Sequence, residues 1–189
     1  MGHSFVRRLS EFVSSRDAEW RNLRLEESSI KVSFLGKGGG RVSDLFSDQF
    51  RRFVEAVTPD VVILQIGGND ADCPSAEPRR LTINIFSIAE WLLGYGVKHV
   101  VIMQLLPRQL TRRVSPVVYN EFIKTVNQHI KRMASTRGDI SYHKHKGLKG
   151  SPTNVFRRDG VHLNDAHGLP KYVRSVRGAV IVGARQLSS

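Results

Sequence analysis

The pattern of apolar and polar positions along the chain follows two periods. Apolar residues recur at helical spacing over residues 5–13, 42–57, 81–93, 117–133 and 172–187. Strand patterns occur over residues 30–35, 61–66, 99–105 and 140–143, and the second and third of these are almost continuously apolar. Strands that alternate with helices predict an α/β fold, a three-layer α/β/α sandwich with a central parallel sheet. No repeat or linker interrupts the pattern, so we expect a single domain over residues 1–189.

Residues that could take part in catalysis or binding lie where these elements begin or end. Ser4 lies at or just before the start of the first helix, where a plain N-cap serine is the alternative interpretation. Asn69 follows Gly67-Gly68 at the carboxyl end of the strand over 61–66, which is the edge where open α/β sheets place ligand sites. A turn residue that tolerates positive φ is the alternative for Asn69.

The most informative stretch is Arg158-Asp159-Gly160-Val161-His162-Leu163-Asn164, which follows a predicted Gly/Pro/Ser loop over residues 146–155. Asp159 precedes His162 by three residues, so one turn of irregular chain can place both side chains on the same side. The carboxylate can then hold the imidazole in one tautomer and stabilise it when it takes a proton. Such a pair needs a nucleophile and an oxyanion site, and the stretches around Ser4 and Asn69 offer both.

Two further stretches have open interpretations. The glycine run Gly36-Lys37-Gly38-Gly39-Gly40 lets backbone N–H groups approach an anion, but it lacks the spacing and the terminal Lys-Ser/Thr of a nucleotide P-loop. The pair His143-x-His145 could ligate a metal ion, although no third ligand of matched spacing accompanies it. We expect these two histidines to lie at the surface.

Four blocks in order, GHS, GKGGG, IGGND and DGVHLN, make the chain resemble the SGNH hydrolases, the GDSL esterase/lipase superfamily, over positions 2 to 164. The resemblance implies an SGNH-type, flavodoxin-like sandwich and a serine esterase that acts on a small acyl or acetyl ester. It implies a nucleophile at Ser4, a base at His162 and an orienting carboxylate at Asp159. The oxyanion would be held by the N–H of Ser4, the N–H of Gly39 (with Gly40 as the neighbouring candidate) and the side-chain amide of Asn69. No metal or organic cofactor is expected.

The chain departs from the family pattern at its start. His3 stands where the family usually has Asp before the serine. Only Met1 and Gly2 stand ahead of these residues, where the family has a central strand. We therefore expect the first strand to be missing, the first residues to lack ladder hydrogen bonds, and the hydrolysis of model esters to be slow.

The charge of the chain favours anionic partners. Lys and Arg number 29 against 17 Asp and Glu, which gives a net charge of +12. Nucleic acid is the first class of partner to consider and an anionic membrane the second, while a solvated basic surface is the plain alternative. The arginines occur in pairs rather than in one long run, which argues against a disordered basic tail; the pairs are Arg7-Arg8, Arg51-Arg52, Arg79-Arg80, Arg112-Arg113 and Arg157-Arg158.

The amino-acid sequences of two stretches show a second, narrower resemblance. GHSFVRRL near the start and LPKYVRSVRGA after the DGVHLN block are similar to SGNH-type domains of animal retrotransposon-derived proteins. The alternative function is therefore a catalytically weak or inactive SGNH-fold module that associates with nucleic acid non-specifically through its basic surface.

The single cysteine, Cys73, excludes an internal disulfide and is typical of a reducing compartment. The sequence contains no apolar run of bilayer-spanning length and no signal-peptide pattern. We expect a cytoplasmic protein without a transmembrane segment.

Overall fold

A three-stranded parallel sheet forms the centre of the computed structural model, which describes residues 1–148 and 154–188. Its strands, in spatial order, are β1 (Val61–Leu64), β2 (His99–Met103) and β3 (Ile140–His143). The helices are α1 (Ser4–Ser14), α2 (Ala18–Arg21), α3 (Asp48–Val57), α4 (Pro78–Gly94), α5 (Pro116–Ala134) and α6 (Gly168–Arg185), and a 3₁₀ helix covers Val42–Phe46. None of the helices in the described residues is long and apolar enough to cross a membrane.

The helices α4 and α5 connect consecutive parallel strands. In register, Val62 pairs with Val100, and Val100 pairs with Ile140. Parallel neighbours cannot be joined by a tight turn, so the chain crosses over through a helix each time. Each crossover helix begins with a proline in its first turn, where the missing N–H costs no helical hydrogen bond.

Alternate side chains of the sheet enter two separate cores. Val62, Leu64 and Ile102 pack with α3, α4 and α5 on one face. Val101 and Met103 pack with α1 and α6 on the other. Both faces of the sheet are thus covered by helices, which explains the continuous apolar runs of β1 and β2 and confirms the predicted three-layer α/β/α sandwich.

Two predicted elements differ from the structure. Residues 30–35 form no regular strand, and the side chain of Asn22 occupies two of their backbone groups. Its Oδ1 accepts from the N–H of Val32 at 2.7 Å, and its Nδ2 donates to the carbonyl of Ile30 at 2.6 Å. The helix predicted over 42–57 is divided at Ser47, whose extended backbone separates the 3₁₀ helix from α3. Part of the predicted loop over 146–155, residues 149–153, lies outside the described residues.

The expectation that the first residues lack ladder hydrogen bonds is wrong. The N–H of Gly2 donates to Leu35 O at 3.1 Å, and Gly2 O accepts from the N–H of Lys37 at 3.0 Å. On the other side, Gln65 N–H donates to Met1 O at 3.0 Å and Gln65 O accepts from His3 N–H at 3.2 Å. Gly2 thus forms parallel bridges on both sides, to Gly36 and to Gln65.

The close fit around Gly2 explains why glycine stands there. A Cβ at Gly2 would lie 2.0 Å from the carbonyl oxygen of Gln65, which no side chain could tolerate. The short bridge therefore places the start of α1 at the carboxyl end of β1 without a regular strand before it.

Candidate active site

Ser4 is the first residue of α1 and is buried, with 7% of its surface exposed. The helix is capped by His3 and not by Ser4, because the Nδ1 atom of His3 accepts from the N–H of Phe5 at 3.4 Å. Ser4 is therefore not the N-cap residue, and its hydroxyl does not cap the helix. The N–H of Ser4 has no acceptor among the described residues, as is usual in the first turn of a helix.

The structure brings His162 and Asp159 to Ser4. The Nε2 atom of His162 lies 3.2 Å from Ser4 Oγ, and Nδ1 lies 2.8 Å from Asp159 Oδ2. A carboxylate can only accept, so Nδ1 carries the proton and Nε2 is left to accept from the serine hydroxyl. The three predicted side chains form one hydrogen-bonded series.

Asp159 is fixed by its own loop. Its Oδ1 accepts from the backbone N–H groups of Val161 at 2.9 Å and His162 at 2.8 Å. Burial alone would raise the pKa of Asp159, but these bonds and the bond from the His162 ring outweigh it and lower the pKa to about 2. The carboxylate is thus ionised at neutral pH and held in the orientation that the imidazole needs.

Gly160 makes this loop possible. Its φ of +62° belongs to the left-handed region, and a Cβ there would lie 2.8 Å from the backbone nitrogen of Leu110. Its carbonyl accepts from the N–H of Gln109 at 2.7 Å, which ties the loop after β2 to the Asp159–His162 loop. The segment after β2 is therefore part of the site.

The glycine run and Asn69 lie together. The Nδ2 atom of Asn69 donates to Gly40 O at 2.9 Å. The N–H of Gly40 is committed to Lys37 O at 3.2 Å, whereas the N–H of Gly39 has no acceptor among the described residues. Of the two glycines, Gly39 is therefore the one whose N–H stays available for a ligand.

Asp70, next to Asn69, holds the glycine loop from the other end. Both of its carboxylate oxygens accept from the N–H of Val42, at 3.3 and 3.2 Å. Burial raises the pKa of Asp70 despite these bonds. Adjacent residues of the IGGND block thus fix the same loop, one through Gly40 and one through Val42.

Arg108 is a site residue that the sequence analysis missed. It is 6% exposed, and its Nη2 donates to Asn69 Oδ1 at 2.7 Å. Its Nη1 lies 3.6 Å from Asp72 Oδ2, and its guanidinium carbon lies 5.0 Å from the centre of the Tyr119 ring. One signal was available: Arg108 follows β2 at its carboxyl end, as Asn69 follows β1, and parallel strands bring such positions to one edge.

His3, which occupies the position of the family's usual aspartate, is buried and neutral. Burial, with smaller contributions from the charge of Arg108 and from His162, lowers its pKa to about 3. Gly68 packs against both groups: a Cβ there would lie 3.5 Å from His3 Nε2 and 3.4 Å from Arg108 Nη2, at ordinary van der Waals distance. His3 is therefore a structural group next to Ser4 and carries no charge at neutral pH.

The expectation of two surface histidines at His143 and His145 is wrong. His145 is 1% exposed, with Nδ1 2.8 Å from Ser175 Oγ and Nε2 2.9 Å from Gln65 Oε1. His143 is half-buried and lies 3.3 Å from the same serine hydroxyl. Within residues 1–148 and 154–188, no group of three potential ligands could hold a metal ion. The two histidines thus belong to a hydrogen-bonded cluster with Ser175 and with Gln65, the residue that follows β1.

Comparison with known proteins agrees with this architecture. The sequence profile of the GDSL-like lipase/acylhydrolase family matches residues 2–167. No curated protein sequence is similar enough to the chain to count as a relative.

Several solved structures share the fold at low sequence identity. A GDSL-like lipase from Bacteroides thetaiotaomicron is 18% identical with a TM-score of 0.71, and the match covers 96% of this chain and 86% of that one. A carbohydrate esterase of family 3 from Talaromyces cellulolyticus is 15% identical with a TM-score of 0.67, covering 98% and 96%. A catalytic mutant of an acetylxylan esterase from Geobacillus stearothermophilus is 18% identical with a TM-score of 0.62, covering 93% and 80%. With the profile match over most of its length, the chain belongs to the GDSL-like lipase/acylhydrolase family.

Proposed function

We propose that the protein is a serine esterase that hydrolyses a small acyl or acetyl ester. The observation that carries this proposal is the position of His162 between its two partners, 3.2 Å from Ser4 Oγ and 2.8 Å from Asp159 Oδ2. A serine hydroxyl is a weak nucleophile unless an adjacent base removes its proton, and this geometry supplies the base and the group that orients it.

In the proposed reaction, Ser4 Oγ attacks the carbonyl carbon of the ester while His162 Nε2 takes the hydroxyl proton. The carbon–oxygen bond to the alcohol then breaks, and His162 returns the proton to the leaving alcohol. A water molecule repeats the sequence on the acylated serine and releases the acid. Throughout, Asp159 stabilises the imidazolium that forms transiently and keeps Nδ1 protonated.

The oxyanion of each tetrahedral intermediate would accept from three donors. These are the N–H groups of Ser4 and Gly39 and the second N–H of the Asn69 amide, none of which has an acceptor among the described residues. Donors that are already in place when negative charge develops lower the barrier without rearrangement, and the loss of one typically costs about 10²–10³ in turnover.

The preference for a small acyl group is supported by what two of the similar proteins are called. Two of the similar structures are a carbohydrate esterase and an acetylxylan esterase, and these names favour an acetyl ester as the first substrate to assay.

The test is the hydrolysis of p-nitrophenyl acetate by the wild type, by Ser4→Ala and by a control, Ser14→Ala, which changes an exposed serine of the same helix. We expect hydrolysis by the wild type and the control and loss of turnover in Ser4→Ala. In parallel, a fluorophosphonate should label the wild type once, and peptide mass spectrometry should locate the adduct on Ser4. Equal turnover in wild type and Ser4→Ala, with the label elsewhere, would contradict the proposal.

The alternative, an SGNH-fold module that associates with nucleic acid through its basic surface, stays a prediction. The paired arginines are distributed over several parts of the fold, on α1, α3 and α4 and in the loops before α5 and before His162. Binding to nucleic acid and ester hydrolysis are compatible in one protein, and each has its own measurement.

A further inference from the structure

The loop after β2 delivers one buried arginine to the candidate oxyanion site. The backbone of Arg108 is held by two hydrogen bonds with Asn120, from its N–H at 3.0 Å and to its carbonyl at 2.9 Å. Its guanidinium is then confined between Asn69, Asp72 and the ring of Tyr119. Because both the backbone and the guanidinium of Arg108 are fixed, this side chain can orient the groups to which it donates.

Arg108 contacts the side-chain amide of Asn69, whose oxygen and nitrogen ends are nearly isosteric. A rotation of about 180° about the Cβ–Cγ bond of Asn69 exchanges Oδ1 and Nδ2. The hydrogen-bond partners of the amide therefore decide which atom faces the substrate. Arg108 can only donate, so it selects Oδ1, at 2.7 Å. Gly40 O can only accept, so it selects Nδ2, at 2.9 Å. Both partners require the same orientation.

The hydrogen bonds of Asn69 with Arg108 and with Gly40 differ in strength. The bond from Arg108 is charge-assisted and lies in a buried site, where such bonds are stronger than neutral ones. It also draws electron density towards Oδ1, which makes the Nδ2 hydrogens better donors. The bond to Gly40 is neutral and depends on a glycine loop whose position Asp70 must hold.

We propose that Arg108 is a positioning residue of the oxyanion site, which locks the Asn69 amide with Nδ2 directed to the substrate and polarises it for the developing charge. The inference rests on the proposed esterase function. Arg108 acts only through Asn69, so its contribution is lost when the asparagine amide is removed. This dependence separates positioning from a general effect on the fold.

A double-mutant cycle tests it, with Arg108→Met, Asn69→Ala and the double variant assayed on p-nitrophenyl acetate. We expect Arg108→Met to lower kcat about 10- to 100-fold with little change in KM, and Asn69→Ala to lower it about 10²–10³-fold. The double variant should be no slower than Asn69→Ala. Costs that multiply would overturn the inference, because Arg108 would then act independently of the amide.

A conservative variant separates positioning from stability. Arg108→Lys keeps a charged donor and should recover part of the kcat lost in Arg108→Met. Tm is measured for both variants. If Arg108→Lys restored Tm but recovered none of the kcat, the arginine would be structural only.

The exchange of the Asn69 side-chain amide with water tests the inference independently of enzymatic activity. In NMR spectra, the Asn69 side-chain amide proton that is bonded to Gly40 O, assigned by its loss in Asn69→Ala, should exchange slowly with water in the wild type and much faster in Arg108→Met. Unchanged exchange would overturn the inference even if the wild type proved inactive. Absence of Ser4-dependent hydrolysis, with the exchange result as expected, would instead contradict the proposed function and leave the positioning of Asn69 intact.

Discussion

The hydroxyl oxygen of Ser4 lies 3.2 Å from Nε2 of His162, although 158 positions separate the two residues in the chain. The distance is set by the bridge at Gly2 on one side and by the turn at Gly160 on the other. Each side depends on a glycine that admits no side chain: a Cβ at Gly2 would meet Gln65 O at 2.0 Å, and one at Gly160 would meet Leu110 at 2.8 Å. The candidate nucleophile and base are thus placed by backbone packing, and their side chains need little adjustment.

The first prediction concerns Asp159. Asp159→Asn keeps the size of the side chain but can present an amide N–H to the His162 ring, which favours the tautomer with its proton on Nε2 and leaves no base for Ser4. If the proposed triad operates, we expect kcat for p-nitrophenyl acetate to fall by up to about 10⁴-fold, the loss that this change causes in a serine protease triad. Asp165→Asn, at an exposed carboxylate six residues further on, is the control and should stay close to the wild type. A kcat within about threefold of the wild type for Asp159→Asn would show that the carboxylate is dispensable.

The second prediction concerns acid stability. Burial, with a smaller contribution from the neighbouring His143, lowers the pKa of His145 from an ordinary value of 6.5 to about 3. Between pH 6.5 and 3 the unfolded chain binds a proton that the folded chain does not, so stability falls as pH falls through this window. For one such histidine the free energy of unfolding should be about 2 kcal/mol lower at pH 5 than at pH 7.

His145→Gln removes this titration, so its unfolding free energy should decrease less between pH 7 and pH 5 than that of the wild type. Urea titrations at both pH values give the comparison, and His167→Gln, at an exposed histidine, is the control. His3 has a similarly lowered pKa and should keep part of the pH dependence in the variant. A pH dependence identical to that of the wild type would mean that His145 does not drive acid unfolding.

The sequence predicted the parts of this protein that depend on local patterns. Periodicity located β1, β2, β3 and the larger helices because each is amphipathic or continuously apolar over its own length. The resemblance named Ser4, Asp159 and His162, which form one hydrogen-bonded series, and Gly39 and Asn69, whose loops are joined by the hydrogen bond from Asn69 to Gly40 O. Their catalytic roles remain the proposal that the assays address.

What the sequence did not predict depends on partners far apart in the chain. The contact of Arg108 with Asn69 joins residues 39 positions apart, and that of His145 with Gln65 joins residues 80 positions apart. Residues 30–35 have a strand pattern, yet two of their backbone groups bond to the side chain of Asn22 and not to a neighbouring strand. Tertiary contacts of this kind override local propensity and leave no periodic signal.

The third prediction concerns the basic surface. The exposed pairs Arg51-Arg52, Arg79-Arg80 and Arg112-Arg113 carry charge without being buried in the fold. We expect weak binding to single- and double-stranded DNA without sequence preference, and an affinity that falls steeply with salt because neutralised phosphates release counterions. Fluorescence anisotropy at two salt concentrations measures this, and replacing one pair at a time with Glu should reduce both the affinity and its salt dependence. Salt-independent binding, or none at low salt, would exclude the idea.

The last prediction concerns the groove beside β1. A cavity of about 490 Å³ runs between Val61–Ile63 and residues 29–34, with Met1 and Leu9 also in its wall. Gly2 is bridged to both sides of this groove, so a segment placed ahead of Met1 would extend between the same two backbones. A segment of about five to seven apolar, β-branched residues has a typical strand length and would bury its side chains there. We expect it to raise Tm, since apolar burial stabilises by about 25 cal/mol per Å².

Turnover should respond differently from Tm. The expectation of slow hydrolysis assumed a frayed start, but hydrogen bonds from Gly2, His3 and Gln65 already hold the residues before Ser4. The extended chain should therefore melt at a higher temperature and hydrolyse p-nitrophenyl acetate at the same rate as the original. A Gly/Ser extension of equal length is the control and should change neither quantity, because it offers little apolar surface to bury. A large gain in turnover with the apolar segment would show that Ser4 is not held by the present hydrogen bonds, and an unchanged Tm would show that the groove does not accept a strand.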